Sequence, residues 1–224
     1  DAKQLKISDD SKTAKILCAN KAILPKNLGV DVFYRPQNNK SFKLLVCDME
    51  STIIENEFLD EIAEYLGIGE KVAEITARAM NGELDFESAL KERVQLTGAL
   101  TRAEAENILH TRLKYNAGAA ELVKGCKEQG IYTMLVSGGF TMFTEEVYKS
   151  LGFDEHHANT LIFKDGKLAG VGEPILGKEA KLVFTKNKCA ELGIDISQAI
   201  TVGDGANDLP MLHAAGLGVA YHAK

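Results

Sequence analysis

Three short apolar runs, each ending on a polar motif, constrain this chain more than any other feature. Lys43-Leu44-Leu45-Val46-Cys47 leads into Asp48-Met49-Glu50-Ser51-Thr52. Ile131-Tyr132-Thr133-Met134-Leu135-Val136 leads into Ser137-Gly138-Gly139. Ala199-Ile200-Thr201-Val202 leads into Gly203-Asp204-Gly205-Ala206-Asn207-Asp208. Each run has strand length and β-branched content, and helical patterns separate them. This alternation predicts an α/β fold: a parallel sheet with helices on both faces. In such sheets ligands bind beyond the carboxyl ends of the strands. The polar motifs sit at those ends, so the fold should gather them at one site.

Between the first two runs lies an insert far longer than one crossover helix requires. Residues 57–66, 72–80, 86–94 and 101–113 carry apolar side chains at helical spacing, punctuated by Gly67, Gly82 and Gly98. Thr101-Arg102-Ala103-Glu104 matches a capping box. The expected division is an N-terminal segment at 1–40, the remnant of a small domain, then a core of 41–54 and 114–224. A helical cap at 55–113 would cover the site. Pro36-Gln37-Asn38-Asn39-Lys40 reads as a linker. Residues 160–169 read as a β-hairpin, with a positive-φ turn at Asp165-Gly166.

Composition narrows the partners. Of 224 residues, 45% are hydrophobic, enough for a sizeable core. The net charge of -6, without a Lys/Arg run longer than two, argues against nucleic-acid and anionic-membrane partners. Cys18, Cys47, Cys126 and Cys189 form no C-x-x-C pair, which predicts a reduced, cytoplasmic setting without disulfides. No apolar run reaches the ~18 residues that span a bilayer. No signal peptide is visible, and the sequence begins at Asp1. Oligomeric state is left open.

The motifs suggest phosphoryl chemistry. A carboxylate such as Asp48 can attack phosphorus and divide one hydrolysis into two easier steps. Glu50 is placed to protonate a leaving alkoxide and then to deprotonate the attacking water. Asp48, Asp204, Asp208 and a backbone carbonyl of Glu50 would build an oxygen-rich site of the kind magnesium prefers. Asp204 is the expected direct ligand, with Asn207 and Asp208 in support. Ser137 offers a hydroxyl, and Gly138 and Gly139 let backbone N–H groups approach phosphate oxygens. Read alone, each motif is also compatible with a polar turn. His156 and His157 lack a third ligand at useful spacing and read as solvated loop residues.

Taken together, the motifs resemble the haloacid-dehalogenase phosphatase superfamily. Asp48-Met-Glu-Ser-Thr, Ser137-Gly-Gly-Phe, Lys181 and Gly203-Asp-Gly-Ala-Asn-Asp208 stand in its order. The insert resembles the cap of its phosphoserine phosphatase branch, through Glu57-Phe-Leu-Asp-Glu-Ile-Ala, Asn81-Gly-Glu-Leu-Asp-Phe86 and Leu90-Lys-Glu-Arg-Val94. The resemblance implies a Rossmann-like core and magnesium-dependent hydrolysis of L-phosphoserine, the last step of serine biosynthesis. It implies Asp48 as nucleophile, Ser137, Gly138 and Lys181 as phosphate-holding groups, and Asp204 as metal ligand. Asn207 and Asp208 would support the acidic turn. Glu57 would face the substrate ammonium and Arg93 its carboxylate. Met80 and Phe86 would help exclude water.

Two departures stand out. The family usually has Asp where this chain has Glu50. The chain also ends at Lys224, short of the family's usual end, so the last part of the sheet is expected to be absent or incomplete. Two alternatives follow: phosphotransfer from phosphoserine to another alcohol such as homoserine, and a phosphoserine-binding module weakened by Glu50.

Overall fold

The computed structural model describes residues 2–7, 14–18, 41–177 and 179–223, with side chains from 41 onward, Met80 apart. The linker expected at residues 36–40 and the side chain of Met80 lie outside the described residues. The chain divides into two compact units, 1–40 and 41–224. In the first, β1 (Ala2–Ile7) and β2 (Ala14–Cys18) pair antiparallel.

The second unit opens with β3 (Leu44–Cys47), followed by four helices: α1 (Phe58–Tyr65), α2 (Gly69–Met80), α3 (Phe86–Leu96) and α4 (Arg102–Arg112). Then come α5 (Ala119–Glu128), β4 (Tyr132–Phe140), α6 (Thr141–Leu151), β5 (Glu155–Asn159), β6 (Leu161–Lys164) and β7 (Lys167–Val171). The chain continues through α7 (Ala180–Glu191), β8 (Ala199–Gly203), α8 (Leu209–Ala214) and β9 (Leu217–Ala220). Among the described residues no helix is long and apolar enough to cross a membrane.

Five strands form one parallel sheet in the order β5-β4-β3-β8-β9. The three apolar runs are its centre, and β3 lies between β4 and β8. The chain departs from β3 toward opposite sides of the sheet, which opens a crevice at the carboxyl end of β3. Successive side chains of a strand point to opposite faces. Leu45, Cys47 and Leu135 therefore pack with Val123, Phe143 and Val147 of α5 and α6 on one face. Leu44, Val46, Met134 and Val136 pack with Cys189 of α7 and Met211 of α8 on the other. Both faces are dry, which is why these strands read as continuous apolar runs. Each fully buried Leu or Val contributes ~1.5–3 kcal/mol.

The cap helices form where the apolar spacing predicts them. Thr101 accepts from the Glu104 N–H while the Glu104 carboxylate accepts from the Thr101 N–H, the capping box expected from sequence. Asp85 caps α3 by accepting from the Ser88 N–H at 2.8 Å. Chain entering and leaving the cap is tied together. Ile54 and Tyr115 form a bridge, and Asn116 donates to the Thr52 and Ile54 carbonyls at 3.0 and 3.1 Å. The β6–β7 hairpin turns through Asp165 (φ 50) and Gly166 (φ 77), as Asp-Gly predicts. Its tip meets the cap: the Leu168 N–H donates to the Leu100 carbonyl at 2.8 Å.

β4 runs through Ser137-Gly138-Gly139 to Phe140, with an irregularity in its pairing to β5 between Val136 and Phe140. One expectation is corrected. His156 and His157 are not loop residues but half-buried members of the edge strand β5. His156 pairs with the Thr144 hydroxyl at 2.9 Å. His157 bonds Glu155 at 2.5 Å and stacks on Phe184 with ring centroids 3.9 Å apart. An edge strand with one neighbour tolerates such polar content, so its sequence lacks the apolar signature of the central strands.

Candidate active site

Asp48 lies one residue past β3 and is still held by the sheet, its N–H donating to the Val202 carbonyl at 2.9 Å. The chain then wraps the Met49 carbonyl, which accepts from Thr52, Ile53 and Ile54 at 3.3, 2.8 and 3.0 Å. The buried Met49 side chain anchors this turn, and Ser51 takes φ 54 within it. The carboxylate of Asp48 is thereby fixed at the crevice between β4 and β8.

The third motif closes over it. Oxygens of Asp48, Asp204 and Asp208 lie within 4.8 Å of one another, and all three residues are buried. This is the group able to hold a metal ion among the described residues. Its donors are hard carboxylate oxygens, the kind that suits magnesium better than softer N and S ligands. The Glu50 carboxylate is not in the group.

Asp208 is already heavily engaged. Its Oδ1 accepts from Lys181 Nζ at 2.6 Å, and its Oδ2 accepts from the N–H groups of Asp204 and Gly205 at 3.1 and 3.0 Å. It shapes the turn that presents Asp204. Gly203 makes this possible: a β carbon there would meet Asp208 Cγ at 2.4 Å. Lys181, on the first turn of α7 and 4% exposed, also lies 2.8 Å from Asp48 Oδ1. Burial pulls its ammonium down, but Asp48 and Asp208 outweigh this and hold it above its ordinary value.

The two carboxyls of the first motif are both pushed up. Burial raises Asp48 to about 7, against the pull of Lys181 and with a push from Asp208. Burial beside the Glu57 carboxylate raises Glu50 to about 8, although the Phe58 N–H favours its charged form. That Phe58 N–H donates to Glu50 Oε1 at 2.9 Å. Phe58 is the first residue of α1, so the acid reaches across to the cap.

Ser137, Gly138, Lys181 and Asn207 line one small pocket with Phe86, Val136, Leu176, Gly177 and Ala180. The Phe86 ring covers Gly138, with Cζ 3.4 Å from where a β carbon would stand. Glu57 immediately precedes α1 without a side-chain capping bond, is exposed, and accepts from Ser51 Oγ at 2.7 Å. Arg93, half-buried on α3, is lowered by burial, while Asp60, Glu50 and Glu57 pull it back up. The structure thus gathers Asp48, Asp204, Asp208 and Lys181, and Lys181 also lines the small pocket with Ser137, Gly138 and Asn207; Glu50, Glu57 and Arg93 do not line that pocket.

Sequence reasoning missed Asn159. It is 2% exposed, donates to the Gly138 carbonyl at 2.8 Å and accepts from the Leu176 N–H at 2.7 Å. It therefore ties two segments of the pocket wall. A lone Asn closing a polar edge strand carries no sequence signal. Ser51 was visible in its motif, but its bond to Glu57 was not.

Known proteins resemble this chain in sequence and fold. The family model for haloacid dehalogenase-like hydrolases matches residues 42–216. A phosphoserine phosphatase of Polaromonas sp. is 47% identical over 189 residues, 82% of this chain and 80% of that protein. One of Albidiferax ferrireducens is 45% identical over 209 residues, 91% of this chain and 88% of that protein. A solved phospho-aspartyl intermediate analogue of phosphoserine phosphatase matches with a TM-score of 0.76 at 40% identity, over 83% of this chain and 88% of that one. The chain belongs to the haloacid dehalogenase-like hydrolases, in their phosphoserine phosphatase branch.

Proposed function

We propose that the protein is a magnesium-dependent phosphoserine phosphatase working through an aspartyl-phosphate on Asp48. The observation that carries this reading is the buried group of Asp48, Asp204 and Asp208 facing Lys181, with Glu50 at its edge. Family membership and the relatives' substrate support it.

In the first step an Asp48 oxygen bonds to phosphorus while the bond to the serine oxygen breaks. Glu50 gives its proton to that leaving oxygen. A carboxyl raised to about 8 holds its proton at neutral pH, as a general acid requires. In the second step Glu50 takes a proton from water, the water oxygen bonds to phosphorus, and Asp48 is released with inorganic phosphate. Lys181 neutralises anionic charge beside the nucleophile, and the Ser137 hydroxyl and the backbone of Gly138 hold phosphate oxygens. Asp48 and Asp204 would hold magnesium, with Asp208 fixing the turn that presents Asp204. A bound magnesium ion supplies charge neutralisation for the phosphoryl group.

Substrate choice falls to the cap. Arg93 can grip the carboxylate of phosphoserine with its forked guanidinium, and Glu57 can pair with the ammonium. Phe86 covers the phosphate pocket and helps keep water out. Cys47, Cys126 and Cys189 are buried free thiols, which fits a cytoplasmic setting.

Phosphate release from L-phosphoserine, with and without magnesium, tests the reading. Release in water alone is expected, and it should disappear in Asp48→Asn while the fold persists. Product that forms only when homoserine is added would overturn the hydrolase in favour of a phosphotransferase.

A further inference from the structure

The geometry points to Gly139 as a positioning residue for Glu50, a seat matched to an acid one methylene longer than aspartate. The inference rests on the reading of Glu50 as proton donor above.

Glu50 is held from two sides. Its Oε1 accepts the Phe58 N–H at 2.9 Å. That donor belongs to a residue anchored by packing: the Phe58 ring is fully buried and stacks on Phe143 at 4.1 Å and 6°. The other oxygen lies over Gly139: a β carbon there would stand 2.6 Å from Glu50 Oε2 and 3.1 Å from Cδ. Gly139 is absent from the positive-φ glycines of the chain, so backbone conformation does not demand glycine at this position. Space does. Any side chain would push the carboxylate off the Phe58 N–H.

The clash falls on the tip of a flexible side chain, not on backbone. The carboxylate yields and the fold does not, so the cost should appear in turnover. The same β carbon would also stand 3.1 Å from Ser137 Oγ, which accepts the Gly139 N–H at 2.9 Å. A disturbance of Ser137 would weaken phosphate holding and raise KM; a disturbance of Glu50 would lower kcat. A shorter acid withdraws its carboxylate by about 1.5 Å, one C–C bond, and no longer presses on position 139.

The test is a double-mutant cycle of G139A and E50D in the full chain, with magnesium and phosphoserine, together with the Phe58 amide resonance. G139A alone should lower kcat at least ~10-fold, within the range of general acid–base contributions, with KM and Tm little changed. In the E50D background the same substitution should cost less than ~3-fold, the non-additivity expected of residues in contact. The Phe58 amide should shift in G139A, since it loses its acceptor, Glu50 Oε1. Equal costs in both backgrounds, or an unmoved Phe58 amide, would overturn the proposal. A wild-type protein that releases no phosphate while its Phe58 amide still shifts in G139A would sink the phosphatase reading and leave the seat standing.

Discussion

The ammonium of Lys181 lies 2.6 Å from Asp208 Oδ1, both side chains at most 5% exposed, and the same ammonium reaches Asp48 Oδ1 at 2.8 Å. One buried ammonium thus serves two buried carboxyl groups. Left without its partners, a charge at that depth is strongly destabilising. The sequence holds these residues far apart. The fold joins them because β3 and β8 are neighbours and α7 packs against the face they share with β4.

Lys181→Met should therefore destabilise the protein before it is asked to catalyse anything. Removing one partner of a buried ion pair costs ~3–5 kcal/mol. Magnesium acts on the same carboxylates, so the loss should be smaller in its presence. Chemical denaturation of both proteins with magnesium and with chelator measures the two differences. Equal losses would show that metal and lysine do not share these anions. Turnover should fall at least ~100-fold, the scale of losing one charge-stabilising group.

Stability of the metal-free protein should decline as pH rises through neutrality. Asp48 and Glu50 sit at about 7 and about 8 in the fold, above their ordinary values of 3.8 and 4.5. Between those limits the unfolded chain has released these protons and the native one still holds them. Their contribution is therefore full below pH ~4 and lost as pH rises through about 7 to 8. Carboxylates held low, such as Asp154 and Glu155, act in the opposite direction at more acid pH. Magnesium needs an ionised Asp48, so its stabilisation should grow from pH 6 to pH 8. Thermal melts with and without magnesium read the gap; a gap that stays constant with pH would contradict the raised Asp48.

Much of this site is legible in the sequence because its residues are placed by short-range rules. Asp48, Ser137 and Asp204 sit at or just beyond runs that are apolar because both sheet faces are buried, and that signal is strong. The edge strands are harder to read. β5 carries Glu155, His156 and His157 because one of its edges is open, and β9 alternates half-buried with exposed residues. Partners far apart in the chain are illegible for another reason. Nothing local marks Asn159 as the residue that holds Gly138, or Gly139 as the floor beneath Glu50. Those relations exist only after the strand ends converge.

Arg93→Ala should raise KM for phosphoserine and leave the chemical step largely intact. The guanidinium is half-buried among Asp60, Glu50 and Glu57, a surplus of acid that a substrate carboxylate alone would find repulsive. A charge-assisted pair of this kind is worth ~1.5–3 kcal/mol, or about 10- to 150-fold in KM. Phosphoethanolamine lacks the carboxylate and should be handled equally by both proteins. Kinetics on the two esters decide the matter; an Arg93→Ala protein that keeps its preference for phosphoserine would remove Arg93 from recognition.

Asn159→Ala should loosen the phosphate pocket without touching the nucleophile. Its amide donates to the Gly138 carbonyl and accepts from the Leu176 N–H, so the substitution strands two backbone groups at once. Each buried unsatisfied group costs ~1–3 kcal/mol, which sets a visible fall in Tm. The catalytic effect should be directional. Gly138 and Leu176 both line the pocket with Lys181 and Asn207, so phosphate holding should weaken and KM should rise more than kcat falls. Inorganic phosphate, as a product inhibitor, should bind more weakly by a similar factor, since it meets the same wall. Asn159→Asp separates the two bonds: it keeps an acceptor for Leu176 but sets a carboxylate against the Gly138 carbonyl. If Gly138 is the contact that matters, Asn159→Asp should match Asn159→Ala in phosphate affinity. An Asn159→Asp protein with wild-type phosphate inhibition would assign the role to Leu176 instead.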